Sequence, residues 1–214
     1  DQEEPVVEED TQAEADMQMA RKVTWVHDGD TITSGGTYVL SGAYSEQICI
    51  DTDQQVNIIL AGDVKVIDPQ KPFLVLENES SDVSIDGSNY TMSIVRKSDE
   101  CSSYFLRISG GGTLTVSNIT MEGGCIHGSK KATIIWNDGR LSGVNGLFYN
   151  SYGNLKINGG SFCVKDGQGI VDSYVDITGG EIEVQNDYAV LNSRVTMSGG
   201  TIKNSKWGIE ALLG

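Results

Sequence analysis

From Lys22 onward the chain is written in short runs where apolar and polar residues alternate, such as Val83-Ser84-Ile85, Leu114-Thr115-Val116 and the more apolar Val56-Asn57-Ile58-Ile59-Leu60. Gly, Asn, Asp and Ser separate these runs. Alternation with period two puts one side chain in and the next out, so each run predicts a strand and each separator a turn. No stretch of twelve residues keeps the apolar period of about 3.6 that a helix needs, so helix is at most a minor component. No run reaches the roughly 18 apolar residues that a membrane-crossing helix requires.

The runs repeat. Leu155-Lys156-Ile157-Asn158-Gly159-Gly160-Ser161-Phe162, Val175-Asp176-Ile177-Thr178-Gly179-Gly180-Glu181-Ile182 and Val195-Thr196-Met197-Ser198-Gly199-Gly200-Thr201-Ile202 match position for position at a spacing of 20. The segments starting at Leu114 and Ile134 keep the same register with weaker turn residues, and looser versions begin at Ile58 and Val83. A helix-free repeat of this length is the mark of a solenoid in which each unit is one coil. The expected fold is therefore all-β: a single-stranded parallel β-helix of about 20 residues per coil, right-handed by the usual preference of parallel crossovers.

Period two within the runs predicts three inward columns. They are Leu114, Ile134, Leu155, Val175 and Val195; then Val116, Trp136, Ile157, Ile177 and Met197; then Met121, Leu141, Phe162, Ile182 and Ile202. The Gly-Gly pairs read as corners with positive φ. A second corner carries Asn150-Ser151, Asp172-Ser173 and Asn192-Ser193, which predicts a ladder of side-chain amides between coils.

Charge divides the chain in two. Residues 1–16 hold eight carboxylates and no Lys or Arg, so removing them takes the formal net charge from −15 to −7. Such a segment has too little apolar surface to offset its ordering entropy. Residues 1–21 are accordingly expected to be an acidic tether, with one helical turn near Ala13 to Arg21, and residues 22–214 the folded domain. An anionic protein repels a phosphate backbone, so nucleic acid is excluded as a partner. The start at Asp1 without Met favours a secreted or cell-surface protein freed of a signal peptide. Cys49, Cys101, Cys125 and Cys163 lack zinc spacing, and a Cys101–Cys125 disulfide or four reduced thiols both remain open.

The run Ile32-Thr33-Ser34-Gly35-Gly36-Thr37-Tyr38-Val39-Leu40-Ser41-Gly42, with Gln47-Ile48-Cys49-Ile50-Asp51 and Val56 to Gly62 after it, resembles the opening of bacterial carbohydrate-binding domain proteins with a pectate-lyase-like right-handed parallel β-helix. The later Gly-Gly coils look like the body of the same family and are shared by β-helical adhesins. The resemblance covers about residues 30 to 211. It implies a bacterial surface or secreted protein that binds an acidic, pectin-like polysaccharide without cleaving it, with calcium as a candidate cofactor.

Lys130, Tyr152, Tyr174 and Arg194 recur at spacings of 22, 22 and 20 and are the candidate ligand-binding row. Coils stack about 4.8 Å apart, close to the length of one sugar unit, so rings flanked by cations could stack sugars and hold carboxylates. Asp172, Asp176, Glu181, Glu183 and Asp187 are candidate ligands for calcium, which takes 6–8 oxygens. The shorter clusters Asp28-Gly29-Asp30 and Asp51-Thr52-Asp53 are weaker candidates. His27 and His127 have no identifiable nucleophile partner, and no spacing selects a carboxylate pair, so no catalytic residue is expected. The expected function is non-catalytic polysaccharide binding. An adhesin that binds protein, or itself through the C-terminal edge, is the alternative, and a polysaccharide lyase the third reading.

Overall fold

The computed structural model describes residues 23–96, 104–204 and 206–211. Among them every regular element is a strand. In chain order these are β1 (Val23–Trp25), β2 (Thr31–Ile32), β3 (Gly36–Tyr44), β4 (Ile48–Ile50), β5 (Gln55–Ile67), β6 (Leu74–Leu76) and β7 (Asp82–Asp86). They continue with β8 (Thr91–Val95), β9 (Tyr104–Ile108), β10 (Thr113–Ser117), β11 (Ile119–Glu122), β12 (Cys125–Gly128), β13 (Thr133–Trp136) and β14 (Gly139–Gly143). The last are β15 (Gly146–Ile157), β16 (Ser161–Val164), β17 (Gln168–Ile177), β18 (Glu181–Val184), β19 (Val190–Met197), β20 (Thr201–Asn204) and β21 (Ile209–Ala211). The proposed tether, its helical turn and Cys101 lie outside the described residues.

The strands pair in parallel as three ladders. The first joins β1, the start of β3, the start of β5, β7, β10, β13 and the ends of β15, β17 and β19. The second joins the end of β3, the end of β5, β8, β11, β14, β16, β18 and β20. The third joins β2, β4, β6, β9, β12 and the starts of β15, β17 and β19, and finishes on β21. From β2 onward the chain visits the ladders in the same cyclic order, and each circuit forms one tier whose backbone groups bond to the tiers on either side.

The predicted inward columns pair as the repeat implies. Leu114, Ile134, Leu155, Val175 and Val195 are register partners in the first ladder, as are Val116, Trp136, Ile157, Ile177 and Met197. Met121, Leu141, Phe162, Ile182 and Ile202 align in the second. One contiguous apolar core results, and its members in the last tier are its least covered: Val195 and Ile202 are partly buried and Met197 is 42% exposed. At mid-length the core closes around three rings, one from each ladder. Trp136 packs against Phe162 at 5.3 Å and Phe148 at 6.1 Å, and Phe148 meets Phe162 at 5.6 Å. Buried rings contribute area and an edge-to-face preference together.

The Gly-Gly corners divide their labour. Only the second glycine has positive φ, 94° at Gly160 and 87° at Gly180. The first is needed for close approach, because a Cβ on Gly179 would stand 2.4 Å from the Asn158 carbonyl oxygen. Each pair therefore lets two tiers touch backbone to backbone.

Candidate functional site

The outer face of the first ladder carries the most developed site. Alternation exposes three registered columns across its last tiers: Thr133, Asn154, Tyr174 and Arg194; Ile135, Lys156, Asp176 and Thr196; and, after the strands of the earlier tiers end, Asn137, Asn158, Thr178 and Ser198. The third column is a polar ladder. Asn137 Nδ2 donates to Ser117 Oγ at 3.1 Å, Asn158 Nδ2 to Asn137 Oδ1 at 2.8 Å, and Thr178 Oγ1 to Asn158 Oδ1 at 3.2 Å. At the expected corner the amide link forms only between Asn192 Nδ2 and Asp172 Oδ1, at 2.5 Å, while the Asn150 amide has no hydrogen-bond partner; the longer ladder runs along the Gly-Gly corner. Its members precede the glycines at the repeat spacing, a signal present in the sequence.

The first two columns line a shallow groove of about 220 Å³ formed by Asn154, Lys156, Tyr174, Asp176, Arg194 and Thr196 over Leu155 and Val175. Tyr174 is 45% exposed, and the Arg194 guanidinium carbon lies 6.0 Å from its ring centre. The Tyr152 ring stands 6.5 Å from that of Tyr174, tilted by 51°. Aromatic faces, two cations, one carboxylate and neutral hydrogen-bonding groups therefore meet on one open surface. That combination can stack a flat apolar face while pairing with anionic and hydroxyl groups at its rim.

The expected row is corrected by register. Tyr174 and Arg194 are true partners, whereas the position in line with them one tier earlier is Asn154, and before it Thr133. Tyr152 precedes Asn154 by two residues because the register shifts between Tyr149 and Gly153, yet its ring still reaches Tyr174. Lys130 sits in the exposed turn before β13 and takes no part in the groove.

The five candidate calcium ligands do not gather. Asp172 lies in the corner between the third and first ladders and Asp176 lies in the groove. Glu181 and Glu183 are on the second ladder, where Lys203 Nζ meets Glu181 at 2.7 Å and Gln185 Nε2 donates to Glu183 at 3.2 Å. Asp187 lies in the loop before β19 and accepts the Tyr188 backbone N–H at 2.8 Å. Among the described residues no three His, Cys, Asp or Glu side chains come close enough to share a metal. Asp28 is committed to its own corner, accepting Ser45 N at 2.9 Å, Ser45 Oγ at 2.6 Å and Glu46 N at 2.7 Å. Desolvation opposes its charge, but these bonds prevail and hold its carboxyl below the usual value.

On the outer face of the third ladder Arg107, His127 and Tyr149 are register partners. The Tyr104 ring meets His127 edge-on at 5.4 Å, and His127 Nδ1 is buried without a hydrogen-bond partner. Burial, aided by the Arg107 charge, lowers the imidazole pKa. Their spacings of 20 and 22 are those of one circuit, a signal present in the sequence. Cys49 and Cys163 carry free thiols, and burial pushes the Cys125 thiol up to about 12 against the opposing pull of Arg96.

A family model described as carbohydrate-binding domain-containing protein matches residues 28–205. No curated protein matches the chain. Among solved structures, the polysaccharide lyase-like protein from C. thermocellum, studied as a gadolinium derivative, is similar in fold at 17% identity and a TM-score of 0.51. The match covers 88% of this chain and 90% of that one.

Proposed function

The chain belongs to the family of carbohydrate-binding domain-containing proteins, and from that premise we propose that it holds an acidic, pectin-like polysaccharide along the first ladder without cleaving it. The observation that carries this reading is the exposed Tyr174 ring with Arg194 against its face and Lys156 in the same groove. An extended polysaccharide offers its C–H faces to aromatic rings and its carboxylates to cations, and tiers about 4.8 Å apart match its repeat. The groove contains one carboxylate, Asp176, which favours binding over hydrolysis by a carboxylate pair. On this reading the protein is a right-handed parallel β-helix that works outside the bacterial cell, where such polymers occur.

The test is retention on immobilised polygalacturonate. Tyr152→Ala combined with Tyr174→Ala is expected to abolish it, and full retention by that variant removes the groove from consideration. Elimination is the second reading, favoured by the Arg107, His127 and Tyr149 row with its neutral imidazole. It predicts unsaturated uronate, visible by ultraviolet absorbance, which the binding reading excludes.

A further inference from the structure

The corner from the third ladder into the first shortens along the molecule, and the groove opens where it does so. His127 is six residues from Thr133 and Tyr149 five from Asn154, whereas Val171 is three from Tyr174 and Leu191 three from Arg194. In the shorter corners one residue takes a left-handed conformation, Asp172 at φ 50° and Asn192 at φ 52°. In the longer corner before them both Ser151 and Tyr152 do, at 42° and 65°. Asn and Asp tolerate this region well, whereas a bulky aromatic residue is strained there.

Tyr152 is held by more than its backbone. Asn192, two tiers further on, donates from Nδ2 to the Tyr152 hydroxyl at 2.7 Å and to Asp172 Oδ1 at 2.5 Å. An amide nitrogen has two hydrogens, one for each contact. The three side chains therefore link three successive tiers, and they fix the Tyr152 ring beside Tyr174 at the edge of the groove.

Resting on the polysaccharide-binding reading, we infer that Asn192, oriented by the Asp172 carboxylate, is a positioning residue that locks the Tyr152 ring as a preformed wall of the groove, so that an extended acidic polysaccharide is received without first ordering that ring. A side chain fixed before binding spares the complex its ordering entropy. A charge-assisted hydrogen bond also contributes more than a neutral one. The strained corner is then the structural cost of placing an aromatic residue where a repeating corner would not put it.

The test exchanges donor and acceptor. Asn192→Asp keeps size and backbone preference but sets two carboxylates against each other. The double variant Asp172→Asn with Asn192→Asp restores a donor–acceptor pair and leaves an acceptor for the Tyr152 hydroxyl. Two quantities are read for each variant: affinity for soluble oligogalacturonate, and the ring resonances of Tyr152 in tyrosine-labelled protein without ligand. Asn192→Asp is expected to shift those resonances and weaken binding about tenfold, the equivalent of one charge-assisted hydrogen bond. The double variant returns both towards the parent values. Unmoved resonances in Asn192→Asp, or a double variant that recovers neither quantity, overturn the clamp. So does unchanged affinity in a protein whose ring has moved. If the unaltered protein binds no acidic oligosaccharide, the functional reading fails on its own, and the ligand-free resonances still decide whether the clamp exists.

Discussion

The strands from β3 to β9 and those from β13 to β20 stack in the same three ladders, yet they turn their corners by different chemistry. In the earlier tiers polar side chains cap irregular loops: Asp28 caps Ser45 and Glu46, Asp63 caps Thr91, Asn78 caps Ser80 and Asp86 caps Ser88. In the later tiers paired glycines let one backbone rest on the next, and Asn158 and Thr178, each just before a pair, join a continuous polar ladder. Side-chain caps can terminate loops of varied length, so successive tiers need not align. Glycine corners fix the length between the first and second ladders and keep the outward side chains on either side of them in register. Only a registered face provides the evenly spaced rings and charges that line a groove, which is why the candidate site lies in the later tiers.

The contrast is broken most severely from inside. Phe162→Ala removes one of the three rings at the centre of the regular tiers and is expected to cost about 3–5 kcal/mol in denaturant unfolding. A value below about 1 kcal/mol means that the rings do not hold the later tiers together.

Next come the corners. A Cβ on Gly199 would stand 2.2 Å from the Thr178 carbonyl oxygen, so Gly199→Ala must push two tiers apart and should destabilise by more than about 1 kcal/mol. Asp28→Ala removes an exposed cap in an irregular corner and should cost about 1 kcal/mol or less. Equal effects on melting temperature erase the proposed difference between the two corner types.

Titration on the third ladder, which the groove does not use, acts only away from neutral pH. Burial of His127, with the Arg107 charge beside it, lowers its pKa from the model-compound value of 6.5. The unfolded chain therefore binds its proton first, and stability should fall as pH drops below about 6.5. Burial of Tyr149, helped by the nearby Cys125, Tyr104 and Asp187 groups, raises its phenol from 10.0 to about 12. The unfolded chain loses that proton first, so stability should also fall between those values as pH rises. His127→Gln should flatten the acid limb and Tyr149→Phe the alkaline one in a pH series of melting temperatures. Limbs that survive both substitutions assign the titration elsewhere.

The inward columns were legible in the sequence because stacking like residues leaves a periodic trace: Leu155, Val175 and Val195 differ by 20 and pair in that order. The corners were less so. Aligning Asn150 with Asp172 and Asn192 assumes equal corner lengths, and the register shift between Tyr149 and Gly153 moves Tyr152 out of line with Tyr174. The carboxylates from Asp172 to Glu183 are close in sequence but belong to different faces, since one circuit of the chain crosses every ladder. Arg107, His127 and Tyr149 meet for the converse reason, being separated by one circuit each.

The most direct measurement of the central claim is a hydrogen-exchange footprint of the protein with and without polygalacturonate. A groove on the regular face predicts added protection centred on residues 154–156, 174–176 and 194–196 with the polymer recovered intact. Protection centred on Arg107, His127 and Tyr149 instead, or a shortened polymer carrying unsaturated ends, contradicts the account.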